Sequence, residues 1–188
     1  MRPPSWWSNA TTAGRFRFPI AWLWDVIALA AIAFAAWKIF VAPRAFAAAD
    51  RAQSVPHATF ERLDGGELRV ADQRGRMMYL DFYASWCTPC KIELPLVEKW
   101  AARHPAALVV PIDVAEPRAV AADFARRYRL TNVAVDPRGD ARGIFSIAGF
   151  PTVVVVDPAG RIRATWEGLN PAIGLALSNA QARLASQR

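Results

Sequence analysis

Residues 77–95, MMYLDFYASWCTPCKIELP, pass from an almost continuous apolar run into a motif that holds both cysteines of the 188-residue chain. The first seven residues are typical of a strand that is buried on both faces of a sheet. A helix is expected to begin at the motif and to end near Arg103, because His104-Pro105 cannot continue it. The stretch therefore predicts a central strand that leads directly into a helix carrying Cys87 and Cys90.

The rest of the chain continues this alternation of strands and helices. A hairpin is indicated around Asp64-Gly65-Gly66-Glu67, and helix-spaced apolar residues and β-branched runs follow the cysteine helix. The further predicted elements are strands at Phe60–Leu63, Leu68–Ala71, Leu108–Asp113, Val133–Val135, Thr152–Val156 and Ile162–Trp166, and helices at Arg118–Arg129, Asp140–Ile147 and Pro171–Ala185. Strands that alternate with helices in this way predict an α/β layer structure.

Two cysteines separated by two residues can form a structural bridge, part of a metal site or a redox-active dithiol. A disulfide across so short a loop removes little entropy from the unfolded chain, so it stabilises the fold poorly. A structural zinc site needs about four protein ligands, and only His57 and His104 could supplement the cysteines. A dithiol needs an accessible first thiol, a second within reach, and a helix N-terminus that stabilises a thiolate at Cys87. The sequence therefore favours a redox dithiol, with Cys90 as the second thiol and with no metal or cofactor.

The composition argues against a nucleic-acid-binding protein. The formal net charge is +7, but the basic residues lie singly or in pairs, with no long run and no aromatic interleaving. Hydrophobic residues make up 54% of the chain, and much of the excess lies in the first fifty residues. We therefore expect one ordinary domain with a mixed, solvated surface, preceded by an apolar appendage.

The appendage is predicted to span a membrane at residues 20–42. As a helix this segment would reach about 35 Å, enough to cross a hydrocarbon core of about 30 Å. Asp25 and Lys38 lie about one turn from its ends, where their side chains can reach the interface, and tryptophans lie at the same two levels. The alternative is a cleavable signal peptide, because Ala45-Phe46-Ala47 has the small-x-small pattern of a cleavage site. Both alternatives predict an exported domain.

The cysteine motif resembles the active site of the thioredoxin family. The run LDFYASWCTPC at residues 80–90 is similar to the thioredoxin strand-to-helix segment. The run CKIELP at residues 90–95 matches the C-x-x-E-x-P continuation of the membrane-tethered TlpA/ResA/CcmG branch, and GFPT at residues 149–152 resembles the segment that carries the thioredoxin cis-proline. The extra length between the two motifs resembles the central insertion of that branch, here about Arg118–Val135. The likeness covers roughly residues 54–180.

This resemblance implies a thioredoxin fold with an N-terminal β-hairpin extension and a central αβ insertion, preceded by one transmembrane helix. It implies four segments: a cytoplasmic tail at residues 1–19, a transmembrane anchor at 20–42, a linker at 43–54 and a thioredoxin-like domain at 55–188. No cofactor is implied.

The resemblance also implies roles for the site residues. Cys87 would attack the substrate disulfide, and Cys90 would resolve the mixed disulfide that results. Pro151 would be a cis-proline facing the disulfide, and the backbone of Phe150 would pair with an extended substrate segment. The predicted substrate-binding residues are Trp86, Pro89, Phe150, Pro151 and Thr152.

Two carboxyl groups are candidate proton carriers. Glu93 follows Cys90 by three residues, so the helix places it beside the thiols, where it would raise thiol pKa values or move protons. The alternative is an exposed glutamate on a solvated helix face. Asp81 occupies the position of the buried acid of thioredoxin, where burial should raise its pKa and make it a proton acceptor for Cys90. The alternative is a strand-end aspartate that reaches solvent.

The tethered relatives work mainly as reductants of exported proteins, such as apocytochrome c or copper-site assembly proteins. The resemblance thus implies a thiol:disulfide oxidoreductase on the bacterial inner membrane, with a single span and a periplasmic catalytic domain. Its partners would be exported proteins that contain disulfides and a thiol-transporting membrane protein that donates electrons. Two neighbouring carboxyl groups disfavour an unusually stable thiolate, which favours a reductase over an oxidase or isomerase.

Two other classes of protein fit the sequence less well. A thioredoxin-like copper chaperone would have a longer cysteine spacing and a suitably placed histidine. A peroxidase of the peroxiredoxin type would have P-x-x-x-T-x-x-C before its nucleophile, whereas this chain has W-C-x-x-C.

Overall fold

The computed structural model describes residues 20–40, 45–46 and 52–186. The chain divides into two compact units, and the boundary along the sequence lies between Ala35 and Ala36. The predicted cytoplasmic tail and most of the predicted linker lie outside the described residues.

Helix α1, Ile20–Phe40, has 21 residues and falls within the predicted membrane span. Its large apolar side chains from Trp22 to Trp37 are exposed. Across the described part of the chain, no helix combines the length and the apolar character that crossing a membrane requires. The predicted span is therefore not confirmed.

The second unit is built on a mixed sheet of eight strands, in the order β1-β8-β7-β4-β5-β6-β2-β3. The strands are β1 Ala45–Phe46, β2 Thr59–Arg62, β3 Glu67–Arg69, β4 Met78–Tyr83, β5 Leu108–Val114, β6 Ala134–Asp136, β7 Thr152–Val156 and β8 Ile162–Glu167. Strands β4, β5 and β6 are parallel, and the remaining pairings are antiparallel. The helices that follow α1 are α2 Thr88–Ala101, α3 Arg118–Tyr128, α4 Ala141–Ile144 and α5 Ile173–Ala185.

Every residue of β4 and β5 is buried, as the almost continuous apolar runs predicted. On one face of the sheet, Tyr79 and its neighbours pack with α2 and α5, and Trp100 meets Tyr79 edge-on at 4.8 Å between ring centroids. On the other face, Phe82 packs with Phe60 of the hairpin and with Phe145. Strand β4, which leads into the cysteine motif, therefore lies between two packed layers.

The predicted strands and helices after residue 55 are confirmed, with ends that differ by one or two residues for most and by three for α4. The hairpin β2–β3 pairs with β6 at one edge of the sheet, and β7 has the predicted limits. Two features differ from the prediction: Val70–Asp72, at the end of a predicted strand, form a short 3-10 helix, and Ala45–Phe46 of the expected linker form β1, which pairs with β8. The reason for the second is that β8 would otherwise leave its outer backbone groups unpaired at the sheet edge.

Candidate active site

Cys87 and Cys90 form a disulfide at the N-terminus of α2, with their Cα atoms 5.3 Å apart. Cys87 is the helix N-cap, and its Sγ accepts a hydrogen bond from the backbone N–H of Cys90 at 3.2 Å. Cys87 is 4% exposed and Cys90 is fully buried, while Thr88 and Pro89 between them are exposed. Once the disulfide opens, the helix dipole and the free N–H groups of the first turn stabilise a thiolate at Cys87. Cys87 is therefore the sulfur that an incoming group can reach.

An aromatic rim borders the disulfide. Trp86 is 66% exposed, so it is not part of the core, and its ring meets that of Phe150 edge-on at 6.0 Å between centroids. Phe150 also packs against the cluster that contains the two cysteines. The Phe150–Pro151 peptide bond is cis, and the hydroxyl of Thr152 donates to the carbonyl of Gly149 at 2.7 Å. Trp86 and Phe150 therefore contact each other beside the cysteines. The substrate-binding roles of the rim residues stay predictions.

Glu93 lies on α2 and is 1% exposed, which corrects the alternative of an exposed helix-face glutamate. Its Oε2 accepts the backbone N–H of Asn170 at 2.5 Å. Burial raises the pKa of Glu93 to about 7, and the Asn170 N–H partly offsets that rise. Near neutral pH the side chain can therefore hold a proton or release it.

Asn170 was missed by sequence reasoning. It precedes α5, and its Oδ1 accepts the N–H of Ala172 at 2.9 Å, which fixes the turn that directs its own N–H toward Glu93. No local pattern in the sequence links this turn to a helix 77 residues earlier.

Asp81 is fully buried in β4, and neither of its carboxylate oxygens has a hydrogen-bond partner among the residues that the structure describes. The alternative of a strand-end aspartate that reaches solvent therefore does not hold. Loss of hydration, followed by the charges of Glu93 and Glu98, raises the pKa of Asp81 well above its usual value. Because Glu93 is its strongest charged neighbour, the structure brings the two predicted carboxyl groups close enough to titrate as a pair.

Two further acids lie at the end of β5, and sequence reasoning missed both. Glu116 accepts the hydroxyl of Ser85 on Oε1 at 2.6 Å and the backbone N–H of Ser85 on Oε2. Asp113 is fully buried, and its carboxylate oxygens make no hydrogen bond within the described part of the chain. Burial, and then the neighbouring Glu116, raises the pKa of Asp113 to about 8. The two hydrogen bonds from Ser85 to Glu116 therefore fix Ser85, which lies two positions before Cys87.

The sequence did contain a signal for this second pair of acids. Strands β4 and β5 are parallel, with Tyr83 opposite Asp113, so their carboxyl ends meet at one edge of the sheet. Polar residues after the second of two parallel strands should lie near a functional motif that follows the first. Tyr83 adds a buried hydroxyl without a hydrogen-bond partner among the described residues, and burial, then Asp113, raises its pKa.

The arrangement is suited to exchange of thiols and disulfides coupled to proton transfer. Within the described residues, no group of three or more His, Cys, Asp or Glu side chains could hold a metal ion. Instead, burial raises the pKa values of Asp81, Glu93 and Asp113, which lie on the strands and the helix that carry or adjoin the cysteine motif. The site can therefore take up or release protons as its sulfurs change redox state.

Known proteins resemble this chain in sequence and in fold. The sequence profile of the AhpC/TSA family matches residues 52–165. Thiol-disulfide oxidoreductase ResA from Geobacillus kaustophilus is 25% identical over 146 residues, which cover 76% of this chain and 83% of that protein. Thioredoxin-like protein YneN from Bacillus subtilis is 26% identical over 149 residues, which cover 76% of this chain and 86% of that protein.

A solved structure of a DsbE-type thiol:disulfide interchange protein from Chlorobium tepidum superimposes with a TM-score of 0.66 at 26% identity, over 71% of this chain and 96% of that one. The thioredoxin-like α/β fold is thereby confirmed. The Cys87–Cys90 pair on this fold is the redox centre of a thiol-disulfide oxidoreductase of the ResA and DsbE type. Since the family profile matches more than half of its residues, the chain belongs to the AhpC/TSA family.

Proposed function

We propose that this protein is a membrane-tethered reductase that reduces disulfides in particular exported proteins. The observation that carries the proposal is a pair of buried acids, Asp81 on the strand that leads into the cysteine motif and Glu93 on the helix that carries it. Carboxyl groups in that position disfavour an unusually stable thiolate. A dithiol without a strongly stabilised thiolate is a better electron donor than the dithiol of a strong oxidase.

The reaction begins with the reduced protein. The Cys87 thiolate attacks one sulfur of the substrate disulfide, which breaks that bond, forms a Cys87–substrate mixed disulfide and releases the other substrate sulfur as a thiolate. Cys90 then loses its proton and attacks the Cys87 sulfur. This second exchange breaks the bond between Cys87 and the substrate, forms the Cys87–Cys90 disulfide and releases the second substrate sulfur as a thiolate, so two electrons have passed to the substrate.

The buried acids serve the second exchange. Cys90 is fully enclosed and must lose a proton without direct access to bulk water. With a pKa of about 7, Glu93 can accept this proton near neutral pH, and Asp81 extends the acceptor to a coupled pair of carboxyl groups. The two substrate thiolates, one released in each exchange, each take up a proton from solvent.

The substrate class and the location are part of the proposal. Relatives whose names describe thiol-disulfide exchange support disulfide-containing proteins as substrates. The substrates that we propose are exported proteins of cytochrome c maturation or copper-site assembly. The apolar character of residues 20–42 supports a single-pass anchor in the inner membrane, with the catalytic domain in the periplasm. Electrons would then come from a thiol-transporting membrane protein, because α1 contains no cysteine.

An equilibrium redox titration of the Cys87–Cys90 pair tests the direction of electron flow. A reductase should have a potential well below that of the strong periplasmic oxidants, and a value near −120 mV, roughly that of the strongest, would contradict the proposal and favour an oxidase. A Cys90→Ser variant should accumulate mixed disulfides with its substrates, and their identification gives the substrate class. Tight stoichiometric binding of Cu(I), lost in Cys87→Ser, would instead favour a copper chaperone.

A further inference from the structure

Arg142 lies at the rim of the active site, and the proposed reaction does not use it. Its guanidinium carbon is 5.1 Å from the centroid of the Phe150 ring, and that ring contacts Trp86 at 6.0 Å. Arg142 itself is exposed. Among the residues that the structure describes, no carboxylate forms an ion pair with it, whereas Arg138, four residues earlier, pairs with Asp140.

The position of Arg142 is fixed by its surroundings. The preceding residue, Ala141, donates its N–H to Asp136 at 2.7 Å, which ties the start of α4 to the end of β6. The carbonyl of Arg142 accepts the N–H of Ile147 at 2.8 Å. Three residues after Arg142, Phe145 packs into the core against Phe82. The short helix is therefore anchored at both ends, and it holds the arginine beside the aromatic rim.

The contact of Arg142 with the Phe150 ring leaves the N–H groups of the guanidinium available to bind an anion. Stacking on an aromatic ring uses the face of the guanidinium, whereas its N–H groups project from the edge in a fork that matches a carboxylate. The acids of the site do not compete for it, because Asp81 and Glu93 are buried and Glu116 is bonded to Ser85. The exposed rim is thus apolar with a cation at one end.

We propose that Arg142 is a specificity-determining residue that selects substrates carrying an aspartate or glutamate close to the target cysteine. The partner is an extended peptide segment whose acidic side chain reaches the guanidinium while its disulfide meets Cys87. The Phe150 ring contacts both Arg142 and Trp86, so these two side chains lie close together. Because an extended chain advances about 3.3 Å per residue, about three residues of a bound peptide would cover the distance between them. This inference rests on the proposed reaction for its assay, but its prediction concerns which substrate is preferred.

The test uses two disulfide-bonded peptides that differ only in carrying Glu or Gln two residues from one cysteine. With the reduced full-length protein at low salt, kcat/KM for the Glu peptide should be about threefold higher, the size expected for one exposed ion pair. Arg142→Gln should abolish this preference, and Arg142→Glu should transfer it to a third peptide with Lys at that position. Arg127→Gln, which removes an exposed arginine from α3, should keep it. High salt should weaken it.

Equal rates for the Glu and Gln peptides with the wild type, or a preference that persists in Arg142→Gln, would overturn the role of Arg142. If the protein is not a reductase, the result is different. The oxidised protein should then oxidise the dithiol form of the peptides faster than the reduced protein reduces the disulfide form. The rate at which Cys90→Ser captures each peptide as a mixed disulfide, with and without Arg142→Gln, then measures the preference in either direction. Matching thermal unfolding curves exclude a folding defect in Arg142→Gln.

Discussion

Replacement of Glu93 by glutamine should change how the stability of the protein depends on pH. Glu93 has an ordinary pKa of 4.5 in the unfolded chain and about 7 in the folded protein, because burial disfavours its charged form. Below pH 4.5 the group is protonated in both states and has no effect on the free energy of unfolding. Between pH 4.5 and 7 the unfolded state loses the proton first, so stability falls as the pH rises. Above pH 7 both states are ionised and the loss is complete.

The size of this effect follows from the two pKa values. A difference of about 2.5 pKa units corresponds to about 3 kcal/mol of unfolding free energy at pH 8, since each unit is worth about 1.4 kcal/mol. Glutamine keeps an oxygen that can accept the Asn170 N–H, so Glu93→Gln removes the titration and retains the hydrogen bond. Relative to the wild type, the variant should therefore gain stability steadily between pH 4.5 and 7.

Urea unfolding of the oxidised proteins at half-unit steps from pH 4 to 8.5 measures this difference. Glu67→Gln is the matched control, because it removes an exposed carboxyl group and should shift stability by less than about 0.5 kcal/mol at every pH. A difference between wild type and Glu93→Gln that stays flat to within about 0.5 kcal/mol over this range would refute a proton-retaining Glu93. A change of the opposite sign would mean that Glu93 is stabilised as a carboxylate.

Three further predictions follow from the same region. Asp113→Asn should flatten the decrease in stability between about pH 4 and 8, because the wild-type carboxyl group keeps its proton up to a pKa of about 8, and urea unfolding across that range checks this. Glu116→Ala removes both hydrogen bonds to Ser85, and stopped-flow kinetics should show disulfide reduction slowed by about tenfold, with part of the rate restored in Glu116→Gln. Unchanged rates in Glu116→Ala would show that Ser85 is held without it. Trp86→Ala should lower kcat/KM for protein substrates while the thermal midpoint moves by no more than about 2 °C, since the side chain is 66% exposed; a large loss of stability would instead assign Trp86 to the core.

The sequence predicted most of the fold because its signals are local. The apolar run before the cysteines and the β-branched run at 152–156 each determine a buried strand without reference to distant residues. The strand β1 could not be predicted, because its alanine-rich sequence has no strand pattern. It becomes a strand only by pairing with the open edge of β8. The active site likewise contains residues that local sequence predicts and residues that only long-range pairing brings together.

Asp81 and Glu93 were predictable, since one lies on the central strand and the other on the cysteine helix. The Glu116–Ser85 contact joins residues 31 positions apart and depends on how two parallel strands are placed side by side. Asn170 depends on a turn 77 residues from Glu93. The parallel strands indicate only that Glu116 lies near the cysteine motif, and no sequence pattern identifies Ser85 or Asn170 as hydrogen-bond partners.

The buried acids are best explained by proton transfer, because they lower the stability of the fold. Asp81 and Asp113 are fully enclosed without hydrogen-bond partners among the described residues, and apolar side chains at such positions usually give a more stable protein. Asp81 lies on β4, which leads into the cysteine motif, and Asp113 lies on β5, whose carboxyl end is beside that of β4. We expect Asp81→Leu to be more stable than the wild type and to release reduced substrate more slowly near neutral pH. This result would show that Asp81 destabilises the fold but promotes thiol-disulfide exchange. The same gain with unchanged rates from pH 5 to 9 would leave the acids without a part in the chemistry.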